Sequence, residues 1–258
     1  MKIVVLVKEV PDTYGDRKLD LETGLADRGA SEPVLDEIGE RALEVALAYG
    51  DTHDGTEITV VTVAPEGATA TIRKALAMGA ASATHIVDDA LVGADVGLTA
   101  EVLSAAVRRE GFDLVITGNV STDGSGGVMP AMLAELLDVP HLTGLFEVEL
   151  SETQASGSRA VDGGVQKVVA DLPAVISITE ALPDARFPAF KGIVAAKKKP
   201  LEVVSTSDLG VDAGDLSVAR SIMLTVAQKP QRTAGIKIVD EGDGGERLAE
   251  FLVQNRLA

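Results

Sequence analysis

The chain is expected to fold as an α/β domain on a doubly wound, mainly parallel sheet, with an added antiparallel hairpin and an extended C-terminal arm. Three observations predict this. Over residues 1–137, short apolar runs rich in Val and Ile alternate with amphipathic segments, the pattern of a sheet covered on both faces. A glycine-rich polar loop joins one of these runs, residues 114–116, to the helix that follows. Beyond Pro140 the pattern changes: residues 145–150 alternate apolar and polar, as a half-exposed strand does.

Residues 3–7 are apolar throughout and form the first core strand. Lys8 and Glu9 close the run at once, and no small-residue cleavage site follows, so it is not read as a signal peptide. Residues 11–32 are polar, with Gly15, Gly24 and Gly29, and make a long irregular excursion of the kind that is more often functional or partner-bound than idle. From Asp36, a candidate N-cap, the pattern turns helical: Ile38, Ala42, Leu43, Ala46 and Leu47 recur at spacings of three and four. Residues 58–63 are the second strand and 69–77 the second helix, ended by Gly79. Residues 84–87 are the third strand, 96–109 a helix, 114–117 the fourth strand, and 128–137 the helix after the loop. Such alternation with short turns means right-handed crossovers.

Residues 158–161 and 165–169 read as a hairpin around Asp162, Gly163 and Gly164, and 172–178 as a return to a buried strand. From Leu182 onward prolines and scattered polar residues replace periodic structure, until a last helix at 245–254. The expected division is therefore a nucleotide-binding domain, 1–181, and an arm, 182–258. With so little core of its own the arm needs a surface, most simply a partner subunit.

At 258 residues, 46% hydrophobic and 24% charged, the composition is that of a soluble globular protein. No apolar run approaches the ~20 residues that span a bilayer. Without cysteine there is no disulfide framework, thiolate metal site or thiol nucleophile, and a cytoplasmic location is expected. A net charge of −17 argues against nucleic acid. Aromatics at 3% without Trp offer no base-stacking platform.

In the loop, Gly124, Gly126 and Gly127 let the backbone approach a ligand closely, and Ser121, Thr122 and Ser125 add hydroxyls. With the free N–H groups of the next helix they make an anion site, usually for a phosphate; the plain alternative is a βα turn rich in glycine. No catalytic set assembles around it. His53, His85 and His141 lack spaced ligand partners and read as structural. Asp88 and Asp89 form either a cation site or, more simply, an exposed acidic pair leading a helix. There is no Gly-x-Ser-x-Gly elbow and no P-loop lysine. A cradle without a base, nucleophile or metal favours binding over catalysis. Lys197, Lys198 and Lys199 are an anion site or a solvated basic face. Phe187 and Phe190 either tuck onto the sheet or anchor an interface.

Several motifs in order, VLVKEV at 5–10, TIRKALAMGA at 71–80, VDGG at 161–164, LPAV at 172–175, AKKK at 196–199, DLGV at 208–211 and PQRTAGIK at 230–237, resemble the β subunit of electron transfer flavoprotein. The resemblance covers the whole chain. It implies a heterodimer with an α subunit, carrying one FAD held mostly by that partner, and a structural AMP buried in this chain. The heterodimer would take electrons from acyl-CoA and other dehydrogenases, as in fatty acid oxidation, and pass them to a membrane quinone oxidoreductase, so the chain would be an electron carrier rather than an enzyme. Carried over, the AMP site comprises Leu6, Asp36, Glu37, Ile38, Val63, Gly118, Asn119, Val120, Ser121, Thr122, Asp123, Gly124, Ser125, Gly126, Gly127, Val128 and Met129. Thr13 and Tyr14 would stand near the flavin. The recognition segment for dehydrogenases would include Arg186, Phe187, Phe190, Lys191 and Ile193, with Phe190 where the family usually has a leucine anchor. The loop departs from the familiar pattern, which has acidic and amide residues where this chain has Gly124, Ser125, Gly126 and Gly127, so backbone N–H groups would hold the AMP. Two alternatives stay open: a second FAD in the cradle of an electron-bifurcating member, and a stand-alone ATP-binding stress-type protein on a similar fold.

Overall fold

The computed structural model describes residues 1–15, 18–215, 217–232, 235, 237 and 239–257. In chain order the elements are β1 (Lys2–Leu6), β2 (Glu9–Pro11), β3 (Pro33–Leu35), α1 (Glu37–Gly50), β4 (Glu57–Val63), α2 (Thr69–Met78) and β5 (Ser82–Ile86). Then follow α3 (Val96–Glu110), β6 (Leu114–Gly118), α4 (Met129–Leu137), β7 (His141–Leu150), β8 (Gln154–Val161), β9 (Gly164–Asp171) and β10 (Ala174–Ile178). The last are α5 (Phe190–Ala196), β11 (Leu201–Val204) and α6 (Gly244–Gln254).

Nine strands form one sheet in the order β11-β5-β4-β1-β6-β10-β7-β8-β9. The first seven run parallel, and β7, β8 and β9 continue the sheet as an antiparallel meander. This is the expected α/β architecture. Alternate side chains of the parallel strands go to opposite faces. Ile3, Val5 and Val60 pack with Leu43, Leu47, Ile72 and Leu76 of α1 and α2. Val4, Val61 and Val115 pack with Leu103, Val107, Leu133 and Leu137 of α3 and α4. Both faces of β1 are therefore covered from Ile3 onward, which is why residues 3–6 carry no polar side chain.

The topology sets where a ligand can lie. From β1 the chain steps outward through β4 to β5, then α3 returns it to β6 on the other side of β1. The loops after β1 and β6 thus diverge, leaving a crevice at the carboxyl ends of those strands.

The stretch after Leu182 differs from the expected irregular chain. Seven-residue α5 packs on α2, and β11 joins the sheet edge beside β5. Neither is long enough to show a period, and both are held by tertiary contacts. The guanidinium of Arg73 donates to the carbonyls of Ala196 (2.6 Å) and Lys199 (2.8 Å). Lys199 Nζ donates to the carbonyls of Leu76 (2.8 Å) and Ala80 (2.6 Å). It therefore satisfies orphan carbonyls at the end of α2, where a helix favours a cation, and burial lowers its pKa. That makes Lys199 neither an anion ligand nor part of a solvated face; Lys197 and Lys198 are exposed.

Other polar residues prove structural too. Asp88 accepts from Ala90 N (2.9 Å) and from both the N–H and hydroxyl of Thr206, fastening the turn after β11 rather than a cation. His85 is buried, with Nε2 3.1 Å from the Ala64 carbonyl. His53 stacks on Tyr49 at 3.9 Å. Arg220 pairs with Glu101 of α3 at 2.7 Å, and Ser221 N donates to Asp95, so the chain remains anchored to about this point.

Two compact units result, Met1–Leu224 and Thr225–Ala258. Within the second, α6 carries an Arg247–Asp243 ion pair in its first turn and has no buried residue. Thr233, Ala234 and Ile236 of the 230–237 motif lie outside the described residues. No helix among the described residues is long and apolar enough to cross a membrane.

Candidate functional site

A cavity of about 390 Å³ occupies the crevice. Its floor is the ends of three parallel strands, Leu6 and Val7 of β1 and its exit, Val63 of β4, and Thr117 and Gly118 of β6. The start of α1 (Ile38, Gly39), the first turns of α3 (Val96, Thr99, Leu103) and the loop ahead of α4 form the walls. Small, β-branched residues at strand ends and glycine at contact points keep this volume open.

Gly118 shows the constraint. A Cβ on it would lie 2.6 Å from Ile38 Cγ2, so only glycine lets the start of α1 close against the end of β6. Gly127 shows another. Its φ of +68° puts the backbone in the left-handed region just before α4. Among the described residues the N–H groups of Gly126, Gly127 and Val128 donate to no acceptor in the chain, and the N-terminus of α4 begins directly after them. Free N–H donors and a helix dipole are what an anion needs.

Asp36 holds the loop from the other side. It sits at the N-cap of α1, yet its side chain makes no cap bond; Oδ2 instead accepts from Thr122 N at 2.9 Å. Its other oxygen, Oδ1, is buried without a partner, and the residue, 2% exposed, lines the cavity. Burial pushes its carboxyl above the ordinary 3.8, against the pull of the Thr122 N–H. A ligand hydroxyl or amino group reaching Oδ1 would remove an unsatisfied acceptor that costs on the order of 1–3 kcal/mol.

Of the residues carried over for the nucleotide, Leu6, Asp36, Ile38, Val63, Gly118, Asn119, Val120, Ser121, Gly124, Gly126, Gly127, Val128 and Met129 are gathered in this lining. Glu37, Thr122, Asp123 and Ser125 are not. Glu37 is exposed on α1; Thr122 serves Asp36; Ser125, in the left-handed region, bonds back to the Ser121 carbonyl. Sequence reasoning missed Lys8, Thr117 and the wall from α3. The helical period of Val96, Thr99 and Leu103 marks an inward face, but not that this face overlooks a crevice.

Asp123 is the loop's latch. Its side chain, 8% exposed, accepts from Lys8 Nζ at 2.8 Å and from Arg28 at 3.2 Å. Burial alone would raise its carboxyl; the Lys8 ammonium, with Ser121 and the Gly124 N–H, overrides burial and holds it at about 2. Its folded pKa lies below the ordinary 3.8, so its stabilisation is present above that value and is lost as pH falls from 3.8 towards about 2. The full loss is on the order of 2 kcal/mol. Protonation of Asp36 acts oppositely and at higher pH, because its folded pKa is raised. Thermal melts through this acid range should therefore fall more steeply for the native chain than for Asp123→Asn. Parallel curves would remove the latch.

The remaining carried-over residues lie elsewhere. Thr13 and Tyr14 are exposed on the excursion and line no part of the cavity. Arg186 is tied inward: its guanidinium donates to Glu44 at 2.8 Å twice and to Asp51 at 2.8 Å, both of which raise its pKa. Arg41 bonds the Leu182 carbonyl and Asp184 just upstream. The segment is thus clamped to α1, while Phe187 (95%) and Phe190 (82%) stand exposed beside Lys191 and Ile193.

Residues 24–209 match the family model described as "Electron transfer flavoprotein domain". The chain is 46% identical to the electron transfer flavoprotein subunit beta of Mycobacterium bovis, covering 99% of this chain and 98% of that one. It is 35% identical to the protein of the same name from Bacillus subtilis, over 98% and 96%. It is 31% identical to the caffeyl-CoA reductase-Etf complex subunit CarD of Acetobacterium woodii, over 82% and 80%.

Proposed function

The chain belongs to the electron transfer flavoprotein family as a β subunit, and from that premise we propose that its cavity holds a structural AMP in a heterodimer whose FAD lies mainly on the α subunit. One observation carries this reading: the cavity combines free N–H groups at 126–128 with an unpartnered Asp36 oxygen, and no metal-holding cluster is found among the described residues. The phosphate would lie on the N–H groups before α4. A hydroxyl or amino group would satisfy Asp36, and the base would rest among Leu6, Val63 and Leu103. A volume of about 390 Å³ is at the lower end of the ~300–1,000 Å³ usual for small-ligand sites and suits a mononucleotide better than a dinucleotide.

The flavin supplies the electron chemistry, and this chain contributes shape and docking. Thr13 and Tyr14 stand on the excursion assigned to the flavin side. The exposed Phe187 and Phe190 would meet acyl-CoA dehydrogenases and similar donors, with Lys191 and Ile193 around them. Electrons would leave to a membrane quinone oxidoreductase. Residues 225–258, whose α6 has no buried residue, would pack on the α subunit.

Nucleotides extracted from the purified heterodimer test this. One FAD and one AMP are expected per heterodimer. The likeness to CarD supports a second reading, FAD in the cradle of a bifurcating member; two flavins and no AMP would establish it in place of ours.

A further inference from the structure

We propose that Lys8 is a phosphate ligand of the cradle, kept poised at the glycine loop by Asp123 and released to the nucleotide when it binds. This rests on the reading of the cavity as a nucleotide site and adds a residue and a charge exchange to it. Lys8 follows β1, and among the described residues it is the one cation in the cavity lining. Its Nζ lies 4.0 Å from where a Cβ on Gly124 would stand, so the ammonium faces the glycine loop.

Lys8 and Arg28 share the carboxylate of Asp123, on Oδ1 and Oδ2 respectively, and Asp36 is a second carboxylate close to Asp123. Asp36 bonds Thr122 N instead, so among the described residues the Lys8 ammonium is paired with Asp123 alone, through one oxygen of a side chain it shares with Arg28. A phosphate monoester carries roughly two negative charges at neutral pH, and neutral N–H groups alone compensate it poorly. Asp123 itself is not in the lining. When Lys8 swings on its flexible stem to the phosphate, Asp123 keeps Arg28, and no buried charge is orphaned. Arg28 also donates to the Glu9 carbonyl at 3.4 Å. Arg28 keeps both contacts through the exchange.

A merely structural Lys8, holding the loop through Asp123, would affect all nucleosides alike. The readout is therefore the preference for AMP over adenosine, measured by calorimetry on the heterodimer freed of nucleotide. Lys8→Met is expected to cut that preference by at least about tenfold, the weight of one charge-assisted hydrogen bond. Lys8→Arg is expected to restore most of it. Asp123→Asn, which breaks the latch but leaves the ammonium free, is expected to keep or raise it. The proposal is overturned if Lys8→Met keeps the native preference, or if Asp123→Asn loses as much as Lys8→Met. A native heterodimer with no preference for AMP would instead sink the nucleotide reading itself.

Discussion

Gly127→Val is expected to empty the nucleotide cradle. Two independent costs fall on one position. A β-branched residue at φ +68° is strained by on the order of 1–3 kcal/mol, because its Cβ crowds the backbone there. Its Cβ would also stand 3.1 Å from Val120 Cγ1, and the further methyls would have to displace that side chain or the loop. Either way the N–H groups of 126–128 turn from the site, and the start of α4 loses its alignment with them. AMP affinity should fall by about a hundredfold or more, the loss of two charge-assisted bonds. Heterodimer yield should fall with it. Nothing lies within 4 Å of a Cβ on Gly126 and its φ is outside the left-handed region, so Gly126→Val should cost clearly less. AMP released from equal amounts of purified heterodimer is the measurement. Native AMP content in Gly127→Val would remove this loop from nucleotide binding.

Phe190→Ala should slow electron transfer from dehydrogenases about 30-fold or more while leaving FAD content and melting temperature unchanged. Phe190 begins α5 and is 82% exposed, a large apolar side chain with no packing role in the chain itself. A flat aromatic on a clamped backbone has little entropy to lose on docking, and residues of this kind carry about 2 kcal/mol or more as interface anchors. The clamp of Arg186 on Glu44 and Asp51 keeps the segment in place when the ring is gone, so contact is removed without unfolding. The loss should appear as a raised concentration of heterodimer needed for half-maximal dehydrogenase turnover. An unchanged concentration and rate would move the docking surface away from Phe190.

These two positions differ in how far the sequence exposes them. Glycine density in 124–127 points to an anion loop, but only the dihedral of Gly127 and the open space at Gly126 separate the two residues. The apolar stretch around Phe187 and Phe190 leaves both an inward and an outward reading open, and the exposure of both rings decides for outward. Asp36 stands where its residue type predicts, at the head of α1, yet its carboxylate bonds Thr122, 86 positions away. No local rule reports such a bond. Lys8 reads as the polar end of a strand. Its role comes from Asp123 and Arg28, which the chain brings together from two other loops. Arg186, assigned to partner docking through the family resemblance, also bonds Glu44 of α1 and Asp51 just after it, contacts that no local pattern reports.

By itself the sequence determined the α/β class, the alternation of β1 to α4, the hairpin of β8 and β9, the glycine loop and the family. Each of these is written in short-range chemistry, whether a period of 2 or 3.6, a turn dipeptide, or a motif of adjacent residues. The tertiary structure alone decided that α5 and β11 exist and that Lys199 ends α2. It also decided that the loops after β1 and β6 part to leave a cavity, with Lys8 at its wall and the Asp36 carboxylate turned to Thr122. Those features rest on pairs far apart in the chain, whose meeting depends on the strand order of the sheet, and the order of strands is not encoded in the period of any one of them.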